Sequence, residues 1–117
     1  MATLDDAHRI ASALPEATSD PGEFAYRIDD KLFTWIWMER VEPKRPRVPN
    51  PEVIAVRVSD ETEKQAMLAL DPDVFFTEPH YDGYPAVLVR LPAIDPSLLE
   101  TVIGDAWRLR APRRFRE

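Results

Sequence analysis

Residues 73–91 constrain the possible folds of this chain more than any other segment. They read DVFFTEPHYDGYPAVLVRL, in which two apolar runs flank a polar, aromatic connector. The connector contains Asp82-Gly83, a dipeptide typical of β-hairpin turns. The pattern predicts an antiparallel hairpin in which residues 74–78 pair with residues 86–91. A proline soon after the turn predicts a loop longer than two residues.

Hydrophobic periodicity elsewhere predicts three helices and three more strands. Helices are expected at residues 4–14, at about 60–70 and at 96–110, and strands at 24–28, 31–37 and 53–58. The third helix opens with Asp95-Pro96, an N-cap residue followed by proline at the first helical position. The order α-β-β-β-α-β-β-α predicts a two-layer α+β domain, in which helices cover a five-stranded antiparallel sheet.

The same patterns predict which side chains face the core. Alternation along the 31–37 strand puts Phe33, Trp35 and Trp37 on one face and Leu32, Thr34 and Ile36 on the other. Helical spacing gives two stripes that should face the sheet, which are Ala66, Met67 and Leu70 on the second helix and Leu99, Val102, Ile103 and Ala106 on the third.

Residues 39–52, ERVEPKRPRVPNPE, predict a long loop within the domain. Four prolines, Pro43, Pro46, Pro49 and Pro51, disfavour helix and interrupt the hydrogen bonds of a strand ladder. Loops of this length are often functional. This one carries a basic patch formed by Lys44, Arg45 and Arg47.

Size and composition fit a single domain over residues 1–117, since domains cluster around 100–150 residues. The chain has no cysteine, so a disulfide framework and a thiolate zinc site are excluded. No apolar run approaches the roughly 20 residues of a membrane helix, and the first residues lack the basic-then-apolar order of a signal peptide. We expect a cytoplasmic protein that does not associate with membranes and is a monomer or weak dimer.

Charge is distributed unevenly along the chain. The 15 basic and 21 acidic residues give a net charge of −6. Residues 108–117 hold Arg108, Arg110, Arg113, Arg114 and Arg116 against one glutamate, a local charge of +4 that leaves −10 on residues 1–107. An acidic body does not attract a polyanion at long range, so phosphate binding would depend on local basic groups.

Three segments resemble the MmcQ/YjbR-like family of small bacterial proteins. LPEATSD (14–20) is similar to the family's linker after its first helix, RIDDKLFTWI (27–36) to its first hairpin, and residues 55–91 to its strand–helix–strand–hairpin centre. The resemblance implies a secretion-chaperone-like α+β fold and DNA binding through a double wing built from the two hairpins. Here the wings carry Asp29, Asp30, Glu78 and Asp82. Any DNA contacts are therefore expected from the arginines of residues 108–117 and from the basic patch of Lys44, Arg45 and Arg47.

The second hairpin holds another set of candidate surface residues, Glu78, His80, Tyr81, Asp82 and Tyr84. In an extended segment Glu78, His80 and Asp82 would share one face. Such a face suits a divalent metal or a general base. The interpretation we favour is a polar hairpin surface. Tyr81 and Tyr84 would either stack on bases or pack internally.

Three functional classes follow from these patterns, and an enzyme or metal binder that uses His80 ranks last among them. The first is DNA binding that is weak and dominated by phosphate contacts. The alternative is a protein-interaction or small-ligand-binding module with no nucleic-acid role. No phosphate-binding loop, nucleophile elbow or H-E-x-x-H motif is present, so no enzyme activity, cofactor or metal is predicted.

Overall fold

The computed structural model describes residues 1–115 of the chain. Its helices are α1 (Leu4–Ser12), α2 (Glu61–Leu70) and α3 (Pro96–Arg110), and its strands are β1 (Thr18–Ser19), β2 (Ala25–Ile28), β3 (Lys31–Glu39), β4 (Val48–Arg57), β5 (Phe75–Phe76) and β6 (Ala86–Arg90). Short 3₁₀ helices lie at Pro79–Tyr81, Leu91–Ala93 and Arg113–Phe115. Within this part of the chain, no helix has the length and apolar character needed to cross a membrane.

The strands form one antiparallel sheet in the order β1-β2-β3-β4-β6-β5. Asp29 and Asp30 join β2 to β3 with φ angles of 51° and 65°, as a two-residue type I′ hairpin turn requires. The predicted second hairpin is confirmed, because Phe75 and Phe76 of β5 pair with β6. The α+β class and the antiparallel sheet are therefore as predicted.

All three helices pack on one face of the sheet. The predicted α3 stripe of Leu99, Val102, Ile103 and Ala106 is buried in this helix-side core. It meets sheet residues Phe33, Ile54, Val56, Val87 and Val89, together with Ala7, Ile10 and Ala11 of α1. At the C-terminal end of α3, the indole Nε1 of Trp107 donates to the Pro15 carbonyl at 3.1 Å, which ties this end to the linker after α1.

The sheet has six strands, where the sequence predicted five. The extra strand, β1, lies in the linker after α1 and pairs two residues with β2, too few to produce a periodic pattern. The predicted 39–52 loop is also shorter, because β3 runs to Glu39 and β4 begins at Val48. Pro49 and Pro51 lie inside β4, where it pairs with β3 alone, since β6 pairs only with Val53–Arg57. Proline is tolerated in a strand segment with one open edge.

A β-bulge breaks the predicted alternation along β3 at Phe33, whereas Trp35 and Trp37 share one face, opposite Ile36, as predicted. Tyr26 pairs with Thr34 and Arg27 with Leu32, which leaves Phe33 as an extra residue. Because a bulge shifts the side-chain period, Phe33 joins the helix-side core. Trp35 packs against residues on the opposite face.

The predicted stripe on α2 is correct only at Met67. Ala66 and Leu70 are exposed, the latter by 68%. The inward face of α2 instead carries Met67 and Leu68, which pack on the core, and Lys64, which is 2% exposed. A charged residue at a core position is unusual unless it has hydrogen-bond partners.

Candidate functional site

The sheet face opposite the helices carries a second, smaller apolar cluster. Val53, Ala55, Tyr81, Ala86 and Leu88 are buried there, with Trp35, Trp37 and Phe76 packed against them. No residue of α1, α2 or α3 belongs to this cluster. Its cover is aromatic, and we call Trp35, Trp37, Phe76, Tyr81 and Tyr84 the aromatic face.

Strand pairing explains how these rings come together. Trp35 pairs with Ala55, Ala55 with Leu88, and Leu88 with Phe76, so one row crosses four strands. The small side chain of Ala55 leaves room for large rings to lean over the middle of the sheet. Trp37 and Phe76 meet edge to face, with ring centroids 5.6 Å apart and an interplanar angle of 83°, a favoured geometry for aromatic pairs.

The connector between β5 and β6, residues 77–85, is held by a buried lysine. Lys64 Nζ donates to the carbonyl oxygens of Tyr81 at 2.6 Å and Tyr84 at 3.0 Å. The Tyr81 hydroxyl accepts from Trp35 Nε1 at 3.1 Å, and burial raises the pKa of this hydroxyl. These bonds fix both tyrosines relative to Trp35, because they engage the backbone and the ring.

Two hollows lie at the ends of the aromatic face. The first, of about 260 Å³, is lined by Leu32, Trp35, His80, Tyr81 and Tyr84, and we call it the tyrosine hollow. The second, of about 480 Å³, is lined by Trp37, Glu39, Asn50, Glu52, Val53, Phe76, Arg90, Pro92 and Ala93.

Arginines lie against the rings of this face. The Arg90 guanidinium is 3.9 Å from the Phe76 ring centroid, and that of Arg57 is 5.7 Å from the Tyr84 centroid. Both distances are within the range of cation–π contacts. The pKa of Arg110 is lowered, first by its burial and then by the charge of Arg57. Cationic and aromatic groups therefore alternate on one surface.

Buried polar atoms on or beside this face lack hydrogen-bond partners within residues 1–115. They are Trp37 Nε1, Thr77 Oγ1, Glu78 Oε1 and Arg110 Nε. Glu78 Oε1 has an ion-pair contact with Arg47 Nη1, but the distance of 3.8 Å is too long for a hydrogen bond. Unsatisfied buried donors and acceptors are costly, so each of these atoms is a candidate for contact with water or a ligand.

The phosphate-binding residues predicted from the sequence are scattered, and several are already paired. Carboxylates neutralise Arg108 (Asp105, 2.8 Å), Arg114 (Glu16, 2.9 Å) and Arg45 (Glu42, 3.3 Å). Arg47 also donates to the Met38 carbonyl, and Lys44 and Arg113 are exposed. Arg116 lies outside the described residues. Two of the predicted basic residues are linked to the aromatic face, Arg47 through its contact with Glu78 and Arg110 through the charge of Arg57.

The predicted common face of Glu78, His80 and Asp82 does not form. Pro79–Tyr81 is a 3₁₀ helix, so the three side chains do not alternate along an extended segment. Glu78 is half-buried near Arg47, and His80 and Asp82 are exposed. Within residues 1–115, no three metal-binding side chains come together. Of the two tyrosines, Tyr81 is buried and Tyr84 is exposed.

Sequence analysis missed Arg57, Phe76, Arg90 and Lys64. Alternation along residues 53–58 was a usable signal for Arg57, since it shares a face with Val53 and Ala55. The contacts of Phe76 and Arg90 depend on the pairing of β5 with β6, and no local pattern indicates that Lys64 is buried.

Comparison with known proteins identifies the family. The family model described as YjbR matches residues 12–109. Uncharacterized protein Mb2600 of Mycobacterium bovis and uncharacterized protein Rv2570 of Mycobacterium tuberculosis are each 42% identical to this chain, over 98% of it and 93% of their own length. The crystal structure of Deinococcus radiodurans protein DR2400, with a DUF419 domain, has the same fold at a TM-score of 0.65 and 15% identity, covering 93% of this chain and 78% of that one. The chain belongs to the YjbR family, as its linker and hairpin motifs predict.

Proposed function

We propose that this protein binds nucleic acid, single-stranded DNA in particular, on its aromatic face. The observation that carries the proposal is the pairing of rings with arginines, Arg57 over Tyr84 and Arg90 over Phe76. Aromatic rings stack on bases of any sequence, and arginines neutralise phosphates. An unpaired strand offers both its bases and its phosphates to such a surface, whereas a duplex keeps its bases stacked inside.

The proposal retains the two hairpins that the family resemblance implies for DNA binding but moves the contacts away from their tips. Trp35 and Trp37 follow the first turn, and Tyr81 and Tyr84 belong to the second connector. The acidic pair at the first tip, Asp29-Asp30, is exposed and would repel phosphate.

The charge distribution favours weak binding that depends on salt. The net charge of −6 gives no long-range attraction for DNA, so affinity would come from a few local phosphate contacts and from stacking. Because Arg108 and Arg114 are paired with carboxylates, a phosphate would have to compete with those partners. Arg57 and Arg90 lie on rings instead, and a stacked guanidinium can still donate from its edge to a phosphate. Arg90 Nη1 also donates to the Pro72 and Asp73 carbonyls, at 3.2 and 3.4 Å, so a phosphate would compete with these bonds or bind the other N–H groups of Arg90.

Fluorescence anisotropy with a labelled 12-nucleotide oligothymidine and a matched duplex, at several salt concentrations, tests this function. We expect tighter binding of the single strand. Replacing Arg57 and Arg90 together with glutamine should flatten the salt slope by about 1.4 units if each arginine contacts one phosphate, since single strands lose about 0.7 per contact. The charge control is Arg9→Gln, because Arg9 lies on α1 in the helix layer and is paired with Asp6.

Two outcomes would contradict the proposal. No binding of either DNA at about 50 mM salt, where screening is weak, would exclude a nucleic-acid role. Equal loss of affinity in the Arg9→Gln control would show that the arginines act through net charge alone.

One separate observation favours the alternative of a peptide- or small-ligand-binding module. A groove of about 860 Å³ lies between α1 and strands β1–β4, within the size range of ligand sites. Leu4, Phe24, Ile36 and Met38 are among its apolar lining residues, and Asp20 and Glu23 are acidic. If DNA binding is absent, this groove becomes the better candidate.

A further inference from the structure

The tyrosine hollow has the dimensions and walls of a slot for one aromatic ring system. Tyr84 is edge-to-face with Trp35, at 6.2 Å and 75°, and with Tyr81, at 6.0 Å and 87°. The tyrosine hollow has a volume of about 260 Å³, which is below the roughly 300–1,000 Å³ of drug-sized ligand sites. A cavity of about 150 Å³ holds benzene, so this hollow suits a ligand of one or two rings.

The hollow is held in shape by contacts from both layers of the fold. From the helix layer, Lys64 binds the carbonyl oxygens of Tyr81 and Tyr84, and from the sheet, Trp35 Nε1 binds the Tyr81 hydroxyl. A ring entering the hollow would therefore meet walls already in position, which reduces the entropic cost of binding.

An arginine against one wall of the hollow favours an anionic group on the ligand. Arg57 faces the Tyr84 ring. Arg110, at the end of α3, has a buried Nε without a hydrogen-bond partner in the described part of the chain. The two guanidinium groups repel each other, which contributes to the lowered pKa of Arg110. A phosphate beside Arg57 would accept from its guanidinium, whereas an organic cation would be repelled.

We infer that the tyrosine hollow, with Arg57, is a subsite for one nucleotide unit. The base stacks in the hollow against Trp35 and Tyr84, and the phosphate lies beside Arg57. This inference rests on the proposed function, since the hollow would take one base of a bound strand, but a free nucleotide can test it separately.

Titration with thymidine 5′-monophosphate and with thymidine, followed by intrinsic tryptophan fluorescence, tests the subsite. Charge-assisted bonds to the phosphate should make the nucleotide bind about tenfold or more tightly than the nucleoside. Arg57→Gln should remove most of that difference. Tyr84→Leu should weaken both ligands, and it should fold because Tyr84 is 44% exposed and its carbonyl remains for Lys64. Arg9→Gln serves again as the charge control.

The outcomes separate the two proposals. Oligothymidine binding that is unaffected by Tyr84→Leu, with no response to the mononucleotide at millimolar concentration, would overturn the subsite and leave strand binding intact. Mononucleotide binding that depends on Tyr84 and Arg57, without oligonucleotide binding, would support the subsite and refute strand binding. Equal affinity for nucleotide and nucleoside would overturn the role of Arg57.

Discussion

Replacing Lys64 with methionine tests the contact that joins α2 to the aromatic face. Methionine keeps most of the stem but removes the ammonium group and its two bonds to Tyr81 and Tyr84. Hydrogen bonds of a charged donor contribute about 1.5–3 kcal/mol each. Against this, burying an ammonium group costs several kcal/mol, which the substitution recovers.

The carbonyl groups of Tyr81 and Tyr84 keep a hydrogen-bond donor each in the Lys64→Met variant. Tyr81 O also accepts from the Tyr84 N–H at 3.0 Å, and Tyr84 O from the Ala86 N–H at 2.8 Å. The net effect of Lys64→Met should therefore be modest, a loss of about 1–3 kcal/mol in the free energy of unfolding. Lys64→Glu should cost more, about 3–5 kcal/mol, because a buried carboxylate would face two carbonyl oxygens without a donor.

Urea unfolding, with the midpoint and the slope fitted separately, measures these changes. The matched control is Lys44→Met, because Lys44 is exposed and surface substitutions usually stay within about 0.5 kcal/mol. Amide exchange should also be faster in residues 81–86 of Lys64→Met. If Lys64→Met matches the Lys44→Met control in both measurements, or if Lys64→Glu is no less stable than Lys64→Met, the ammonium group does not hold the connector in place.

Two further predictions concern the helix-side core and the first hairpin. Ile103→Ala should lower the free energy of unfolding by about 2–5 kcal/mol, because Ile103 is fully buried and its truncation removes contacts and leaves a cavity. A loss below about half a kcal/mol in denaturant unfolding would contradict the packing of α3. Asp30→Gly should raise the urea midpoint, because the φ of 65° is strained for aspartate and not for glycine. The gain in the free energy of unfolding should be at most about 1 kcal/mol, since the greater entropy of glycine in the unfolded chain offsets part of it. An unchanged or lower midpoint would show that the turn is not strained.

Features that depend on neighbouring residues could be predicted from the sequence. The predicted N-cap residue Asp95 accepts from the backbone N–H of Ser97, two residues further along the chain. The Asp29-Asp30 turn and the α3 stripe likewise depend on local conformation and helical spacing. Together with the hairpin pattern of residues 73–91, these signals were sufficient for the α+β class and for membership of the family.

The candidate site depended on contacts between distant parts of the chain. One bulged residue, Phe33, moves β3 out of simple alternation and places Trp35 on the aromatic face. Arg90 reaches Phe76 only because β5 pairs with β6. The partners of Lys64 lie 17 and 20 residues away. Local sequence determines helices, turns and caps because their hydrogen bonds close within a few residues, whereas a binding surface forms where strand order and register bring separate segments together.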